Sequence, residues 1–285
     1  MIKTIQKFIL PLKKMAKNII KLIVNIISKN FYLVELCRLI VRVYDNDCNC
    51  NINKNGESLL LKQIAKFSNK NSLIIDIGCN TGNWSKTLSE FFTFGNIICI
   101  DINKNNIDAA KKKLKDIKNL KFNYLRKAIS DKNGPIKFFQ NHKFENSSLD
   151  SLFDQNEIGY DYKTKSLKVD ALKLDDLLES RKYNSLDLLF IKADVEGSEL
   201  AVMKSSEKLF KESKFEFFQF EFGHAARAAR IYLYDIVNFI DKYDYKIFII
   251  KRNGLLFLDF NPFIENRYSM VNLLAVKTTS INKIK

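Results

Sequence analysis

The chain has 285 residues, of which 46% are hydrophobic and 28% charged, and these values are typical of a globular protein. Its 47 Lys and Arg against 32 Asp and Glu give a formal net charge of +15. The length allows one large α/β domain plus an extension, and three prolines and nine glycines leave little room for flexible linkers. The five cysteines lack the second pair or histidine partners of a zinc site, so we expect a reducing, cytosolic protein.

The N-terminal segment holds most of the positive charge. Residues 1–44 contain nine Lys or Arg and one acid, a balance of +8, which leaves +7 for residues 45–285. Apolar residues recur at spacings of three and four in residues 1–29, which predicts an amphipathic helix that Pro11 divides or kinks. Lysines interrupt its apolar runs, so it fits neither a secretory signal nor a transmembrane helix. Two interpretations fit the pattern: peripheral contact with an anionic membrane, or packing on the chain's own domain.

The composition changes again after a second predicted helix at 31–44. A polar, Asn-rich stretch follows at 45–54 and is a natural boundary. We therefore predict a basic amphipathic helical extension at 1–50, one folded domain at 51–278, and a frayed tail at 279–285.

The most informative motif is a predicted buried strand at 73–77 that leads into a glycine turn and a helix at 84–92. The spacing Asp-x-Gly-x-x-x-Gly, from Asp76 to Gly82, is neither the G-x-G-x-x-G of dinucleotide enzymes nor a P-loop. Glycines at such a turn allow the backbone to approach a nucleotide closely. The preceding acid suits a cationic or hydroxyl-rich ligand better than a pyrophosphate. An ordinary β–α turn is the alternative interpretation.

A second predicted strand, at 96–100, ends at Asp101, 19 positions after Gly82. A carboxylate there is placed to accept hydrogen bonds from both hydroxyls of a ribose, and it can also cap the helix predicted at 104–115. Downstream we predict a strand at 120–125 and a hairpin turn at 131–134 with its return strand at 136–140. Residues 144–165 are polar and irregular: a substrate-side loop is one interpretation, and an ordinary surface insertion is the favoured one for any single residue.

Three acids follow the strand predicted at 186–192: Asp194, Glu196 and Glu199. Ligands bind at the carboxyl ends of strands in open α/β sheets, so these acids are expected at a ligand site. The next strand, at 215–222, ends at Glu221. The remaining predictions are helices at 59–67, 200–210 and 225–243 and strands at 245–250, 255–260 and 268–276.

The ordered set of motifs resembles the FkbM-type family of S-adenosylmethionine-dependent methyltransferases. The resemblance rests on N-G-E at 55–57, the turn D-I-G-C-N-T-G-N-W-S, V-D-A-L-K-L-D-D-L-L at 169–178 and D-V-E-G-S-E at 194–199. It covers roughly residues 50–276. The set is specific as a whole, whereas no single motif is.

The resemblance implies a class I methyltransferase fold: a Rossmann-like three-layer α/β sandwich with a seven-stranded mixed sheet, here preceded by the helical extension. It implies S-adenosylmethionine as the cofactor and O-methylation as the reaction, often on sugar hydroxyls of glycans or natural products. It assigns cofactor binding to the turn and the neighbouring strand ends, at Asp76, Gly78, Asn80, Gly82, Asp101 and Ala128.

A sugar hydroxyl is a poor nucleophile at neutral pH, so we expect a general base beside the acceptor. Clustered carboxylates raise one another's pKa, which suits Asp194 or Glu196 to that role, with His224 as the next candidate. Glu199 and Glu221 are expected to contact a small-molecule or glycan acceptor. A divalent metal held by the same acids is a disfavoured alternative, so no metal site is predicted.

Two other functions were weighed against O-methylation. A nucleic-acid methyltransferase, suggested by the net charge, would present an Asn/Asp-Pro-Pro-Tyr/Phe segment where A-D-V-E-G stands, and the acids there repel phosphates. The sequence Asn261-Pro262-Phe263 resembles that segment only superficially. A membrane-associated module without catalysis is disfavoured by the intact glycine turn.

Overall fold

The computed structural model describes the backbone of residues 2–141, 150–159, 161, 164–180, 182–261 and 269–284, and the side chains of these residues from 15 onward except Asn141. Positions 144–149, 160, 162 and 163 of the predicted insertion lie outside the described residues, as do Pro262, Phe263 and Tyr268. The chain divides into two compact units, Met1–Asp47 and Cys48–Lys285.

The first unit consists of two helices, α1 (Ile2–Ile27) and α2 (Phe31–Asp45). α1 continues through Pro11, so the predicted division of this helix is wrong. A proline removes one backbone hydrogen bond, and the turns on either side keep theirs. α2 begins after Asn30, whose side chain accepts a hydrogen bond from the Leu33 amide. Within the described chain, no helix is both long and apolar enough to cross a membrane.

The second unit alternates strands and helices along most of its length. In chain order its helices are α3 (Glu57–Ile64), α4 (Asn83–Ser89), α5 (Lys104–Leu114), α6 (Leu174–Leu178), α7 (Glu199–Ser205), α8 (Glu207–Lys211), α9 (Ala225–Ala228) and α10 (Leu233–Ile240). Its strands are β1 (Ser72–Ile77), β2 (Asn96–Ile100), β3 (Lys121–Leu125), β4 (Ala128–Ile129), β5 (Gly134–Asn141), β6 (Thr164–Leu172), β7 (Asp187–Ala193), β8 (Phe217–Phe222), β9 (Tyr245–Lys251), β10 (Gly254–Phe257) and β11 (Val271–Lys277).

The main sheet has eight strands in the order β10-β9-β11-β8-β7-β1-β2-β3. β1, β2, β3, β7 and β8 are parallel neighbours, and β11 is inserted antiparallel between β8 and β9. The eighth strand, which corrects the predicted count of seven, is β10, and it forms a tight hairpin with β9. Because the five parallel strands end at the same edge, their following loops meet there.

Helices cover both faces of this sheet, as the three-layer prediction required. Ile75 and Ile77 of β1 belong to a core cluster that includes residues of α7 and α10. Ile74, which points the other way, belongs to a second cluster with residues of α3, α4 and α5. Burial on both sides explains why β1 is a continuous apolar run rather than an alternating one.

A separate three-stranded sheet, in the order β4-β6-β5, replaces the predicted hairpin around residues 131–134. The predicted hairpin would pair β4 with β5, but β6 lies between them, parallel to β4 and antiparallel to β5. The long pairing of β5 with β6, from Gly134↔Ala171 to Asn141↔Thr164, takes the place of the local pairing.

Three further predictions need correction. The helix predicted at 200–210 is split at Ser206 into α7 and α8, and the one at 225–243 is split at 229–232, where Arg230 has a φ of 55°. The tail predicted to fray forms a 3-10 turn, Thr278–Lys283. It is held because Ile284 packs in the core and Ser280 donates to Glu216.

Candidate active site

An open cleft of about 590 Å³ lies where β1, β2 and β7 end. Ala128, Ile129 and Phe138 of the small sheet form one wall. The polar side of the cleft is lined by Asn80, Asp101, Asn106, Lys127, Asp150, Ser151, Asp194, Glu196 and Ser198.

The glycine turn forms the floor of this cleft and requires Gly78. Gly78 has a φ of +76°, and a Cβ there would lie 1.8 Å from the backbone oxygen of Asp194. The amides of Gly78 and Cys79 both donate to the carbonyl of Ile100, at 2.8 and 3.0 Å. The turn is therefore anchored to both neighbouring strand ends, and only glycine allows this close approach.

Asp101 joins the turn to the end of β2. Its Oδ2 accepts from the Asn80 amide at 2.9 Å, and its Oδ1 accepts from the Asn103 amide at 2.8 Å. The Asn106 side chain donates to the same carboxylate. Burial raises the pKa of Asp101 to about 6, and these hydrogen bonds act in the opposite direction. Asp101 thus lines the cleft, with its orientation already determined by these hydrogen bonds.

Two residues predicted to bind the cofactor do not line the cleft. Asp76 is fully buried below the turn, where its Oδ2 accepts from Ser85 at 2.7 Å. Gly82 faces α5, within 3.2 Å of Ala110 and Leu114 at its Cβ position. Both residues support the turn from behind, so within the predicted cofactor loop they hold its shape and do not line the cleft. Gly78, Asn80, Asp101 and Ala128 line the cleft.

Three polar atoms of the cleft lining have no hydrogen-bond partner among the described residues. They are Asn80 Oδ1, Asn106 Oδ1 and Ser198 Oγ, and all are buried. Buried polar groups in native proteins are nearly always paired, so their combination in one cleft favours a polar ligand. The cleft therefore fits the nucleoside and amino-acid groups of S-adenosylmethionine.

A buried lysine neutralises part of the acidic cluster. Lys192 Nζ lies 3.0 Å from Asp194 Oδ2 and 3.9 Å from Asp76 Oδ1, and the Lys192 side chain is only 7% exposed. Burial lowers the pKa of Lys192, but the carboxylates of Asp194, Asp76 and Glu57 outweigh it, so the pKa lies above its ordinary value. Lys192 is charged at every physiological pH.

Beside the cleft is a second cavity of about 640 Å³. Its lining includes three carboxylates, one imidazole and one amide: Glu196, Glu199, Glu221, His224 and Gln155. Glu196 lines both the cleft and this cavity. The acidic segment that follows β7 thus lies between the cleft and the second cavity.

Two acids of the second cavity have pKa values raised well above the ordinary value. Burial, followed by the neighbouring Asp194 and Glu199 charges, raises the pKa of Glu196 well above its ordinary value. Burial and the charges of Asp194 and Glu196 have the same effect on the pKa of Glu221. A carboxylate whose pKa is raised is a stronger proton acceptor than an exposed one, which suits these groups to base catalysis.

Glu199 and His224, predicted as an acceptor contact and as a further base candidate, differ from Glu196 in their surroundings. Glu199 Oε1 accepts from the amides of Val195 and Gly197, so it braces the loop that carries Glu196. Burial raises the pKa of Glu199 to about 7. His224 is exposed at the cavity, immediately before α9. Of the predicted acids, Glu196 and Glu221 remain the ones with carboxylates free of a loop-bracing role.

The sequence did not single out several residues of the site. Gln155, Asp150 and Ser151 come from the stretch predicted as an ordinary surface insertion. Gln155 is 4% exposed, and its Nε2 has no partner among the described residues. Ser151 Oγ donates to the backbone oxygen of Glu196 at 2.7 Å. No local periodicity marks these residues, because their position depends on the fold.

The N-G-E segment packs against the same region from the start of the domain. Glu57 is buried, and it accepts from Asn55 Nδ2 at 2.6 Å and from Gln219 Nε2 at 2.7 Å. At Gly56 a Cβ would lie 2.1 Å from the Lys251 carbonyl oxygen. The residues of this motif are therefore structural partners of the sheet. In the described part of the chain, no three His, Cys, Asp or Glu side chains converge as metal ligands.

A family model for the methyltransferase FkbM domain matches residues 76–247, more than half of the chain. The chain belongs to the FkbM methyltransferase family. It is accordingly an S-adenosylmethionine-dependent methyltransferase, as the resemblance predicted, and the cleft is where its cofactor fits. No curated protein matches the chain.

Solved structures with similar folds are methyltransferases of low sequence identity. An rRNA methylase from Streptococcus thermophilus is 10% identical with a TM-score of 0.40, covering 79% of this chain and 97% of its own. A Streptococcus mutans protein named as a methyltransferase, solved with S-adenosylhomocysteine, is 11% identical with a TM-score of 0.41, covering 79% and 98%. A TehB-like methyltransferase from Corynebacterium glutamicum is 13% identical with a TM-score of 0.39, covering 78% and 88%. At this distance the similarities contain no information on the substrate.

Proposed function

We propose that this FkbM-family enzyme methylates a hydroxyl oxygen on a sugar or a related neutral, polyhydroxylated acceptor bound in the second cavity. This proposal is supported by the position of Glu196, which lines both the cofactor cleft and the acid-lined cavity. A base at that junction can reach an acceptor oxygen directed at the cofactor's methyl group.

In this mechanism S-adenosylmethionine supplies an electrophilic methyl group bound to a sulfonium. Glu196 accepts the hydroxyl proton while the acceptor oxygen forms its bond to the methyl carbon and the carbon–sulfur bond breaks. The cavity must hold the oxygen at about 3–3.5 Å from that carbon. Lys192 holds Asp194 beside the reaction, and the Gln155 amide is a donor for another acceptor hydroxyl.

The charge of the second cavity favours a neutral acceptor over a nucleic acid. Glu196, Glu199 and Glu221 line it, and each of these carboxylates in its ionised form repels a phosphate backbone. The surplus of positive charge comes largely from residues 1–44, a different unit of the chain. Hydroxyl groups can donate to each carboxylate and accept from Gln155, which matches the donors and acceptors of the cavity.

The test is transfer of a labelled methyl group from S-adenosylmethionine into separated glycan, lipid, RNA and protein fractions. We expect label in the glycan or small polyol fraction, as a base-stable ether. Label in RNA, abolished by ribonuclease, would overturn the proposal. Cofactor binding without transfer to any fraction would support the alternative of a binding module without catalysis.

A further inference from the structure

The first helix separates apolar from polar side chains along its described half. At about 3.6 residues per turn, the apolar residues between positions 15 and 27 form one continuous arc of roughly 200°. Lys17, Asn18, Lys21 and Asn25 occupy the opposite side. Six side chains of this arc are 49–62% exposed: those of Ile19, Ile20, Leu22, Ile23, Val24 and Ile26.

The second helix is apolar over most of its circumference. Its charged residues recur along one narrow stripe, at Glu35, Arg38, Arg42 and Asp45. No residue of α2 is buried, and its aromatic residues Phe31, Tyr32 and Tyr44 are 70–81% exposed. An exposed apolar surface of this extent, with a charged border, marks an interaction site.

The charge of α1 distinguishes between the surfaces it could meet. The sequence of Ile2–Ile27 contains six lysines and no acid. Two copies of this helix would bring like charges together, which disfavours self-association. An anionic lipid surface offers both an acyl layer for the apolar arc and phosphates for the lysines. No described helix can cross a membrane, so α1 would have to lie in its plane.

We infer that α1 is an interfacial helix that binds the enzyme to an anionic lipid membrane, with Ile19 and Ile23 at the centre of the inserted arc and Lys17 and Lys21 at the headgroups. α2 adds a second apolar surface beside the membrane. Binding of this kind does not depend on which acceptor the enzyme methylates.

The test is co-sedimentation of the full chain with phosphatidylcholine vesicles that contain or lack phosphatidylglycerol. We expect binding to the anionic vesicles, weakened by salt, and at least about tenfold weaker partitioning for the pair Ile19→Gln and Ile23→Gln. The matched pair Asn18→Gln and Asn25→Gln, on the polar side, should bind as the unaltered chain does. Lys17→Gln with Lys21→Gln should remove the preference for anionic lipid.

Cofactor affinity, measured by calorimetry, serves as the folding control for every variant. Absence of sedimentation with anionic vesicles would overturn the inference, as would equal sedimentation of the Ile19/Ile23 and Asn18/Asn25 pairs. A dimer seen by light scattering without lipid, and lost only in the Ile19/Ile23 pair, would instead assign the apolar arc to self-association.

Discussion

Glu196 occupies an unusual backbone conformation for a non-glycine residue, with a φ of 51°. Such strain persists only where the surrounding structure holds it, and it is concentrated at functional sites. Here Ser151 donates to the Glu196 carbonyl and Glu199 braces the adjoining amides. The loop therefore holds the Glu196 carboxylate at the junction of cleft and cavity.

Replacing Glu196 with Gln should lower kcat about 10²- to 10⁴-fold, because the base is removed while its shape is kept. The dissociation constant for S-adenosylmethionine should change little. The neutral amide also removes a buried acid whose pKa is raised, so the melting temperature at pH 8 should not fall. Initial rates and calorimetry check this, with exposed Glu157→Gln as the matched control. A kcat within about threefold of the original enzyme would exclude Glu196 as the base.

Gly78→Ala should abolish tight cofactor binding because the added Cβ would lie 1.8 Å from the Asp194 carbonyl oxygen. We expect affinity for S-adenosylmethionine to fall by at least about tenfold, since the turn must move out of position. Gly134→Ala is the matched control: its φ is also positive, at +100°, but no atom lies within 4 Å of its Cβ position. Equal affinity losses in the two variants would show that backbone strain, and not the close approach at Gly78, is responsible.

At the scale of elements, the pairing of β1 with β7 brings Asp76 directly opposite Lys192. These two residues are charged partners in the centre of the sheet, and Asp194 directly follows the end of β7. Burial raises the pKa of Asp76, while Lys192 and Ser85 act against that rise. The stability of the paired strands β1 and β7 therefore depends on the buried charge of Lys192.

Lys192→Met should destabilise the domain by about 3–5 kcal/mol at pH 8, because it leaves buried carboxylates without their cation. The loss should shrink toward pH 5, since Asp76 can then take up a proton instead of remaining charged. Urea unfolding at both pH values measures this, with exposed Lys204→Met of α7 as the control. A loss below about 1 kcal/mol, the level of a surface ion pair, would contradict the role assigned to Lys192.

Local sequence patterns predicted individual elements better than they predicted their partners. β2 and α5 begin at the predicted positions, 96 and 104, although the residue that caps α5 is Asn103 and not Asp101. The return strand β5 was also predicted, but it pairs with β6, more than twenty positions away along the chain. Strand formation depends on local residue types, whereas strand pairing depends on competition between segments that are distant in sequence.

For the whole molecule, several buried acids have pKa values above those of the unfolded chain. Burial raises the pKa of Asp101 from 3.8 to about 6 and that of Glu199 from 4.5 to about 7. The folded state therefore binds more protons than the unfolded state between these values. Their contribution to stability is fully present below the unfolded pKa values and is lost as the pH rises through about 6 to 7.

We expect the free energy of unfolding to fall between pH 5.5 and pH 8, in the range of ~1.4 kcal/mol for each unit of pKa shift. Denaturant unfolding across this range measures the effect. Glu199→Gln should flatten the dependence near pH 7, whereas exposed Glu157→Gln should leave it unchanged. A free energy of unfolding that rises over the same range would contradict the assigned pKa values.

The sequence by itself determined the family, the cofactor and the two chemical clusters, because each depends on residues close together along the chain. The turn from Asp76 to Gly82 and the acids after β7 are contiguous motifs with their own strand and helix signals. Only the tertiary structure decided which of these residues face the ligand. It turned Asp76 and Gly82 away from the cleft, brought Gln155 to the cavity of Glu221, and placed Glu196 between two spaces. Those positions follow from strand order and long-range packing, which no local pattern contains.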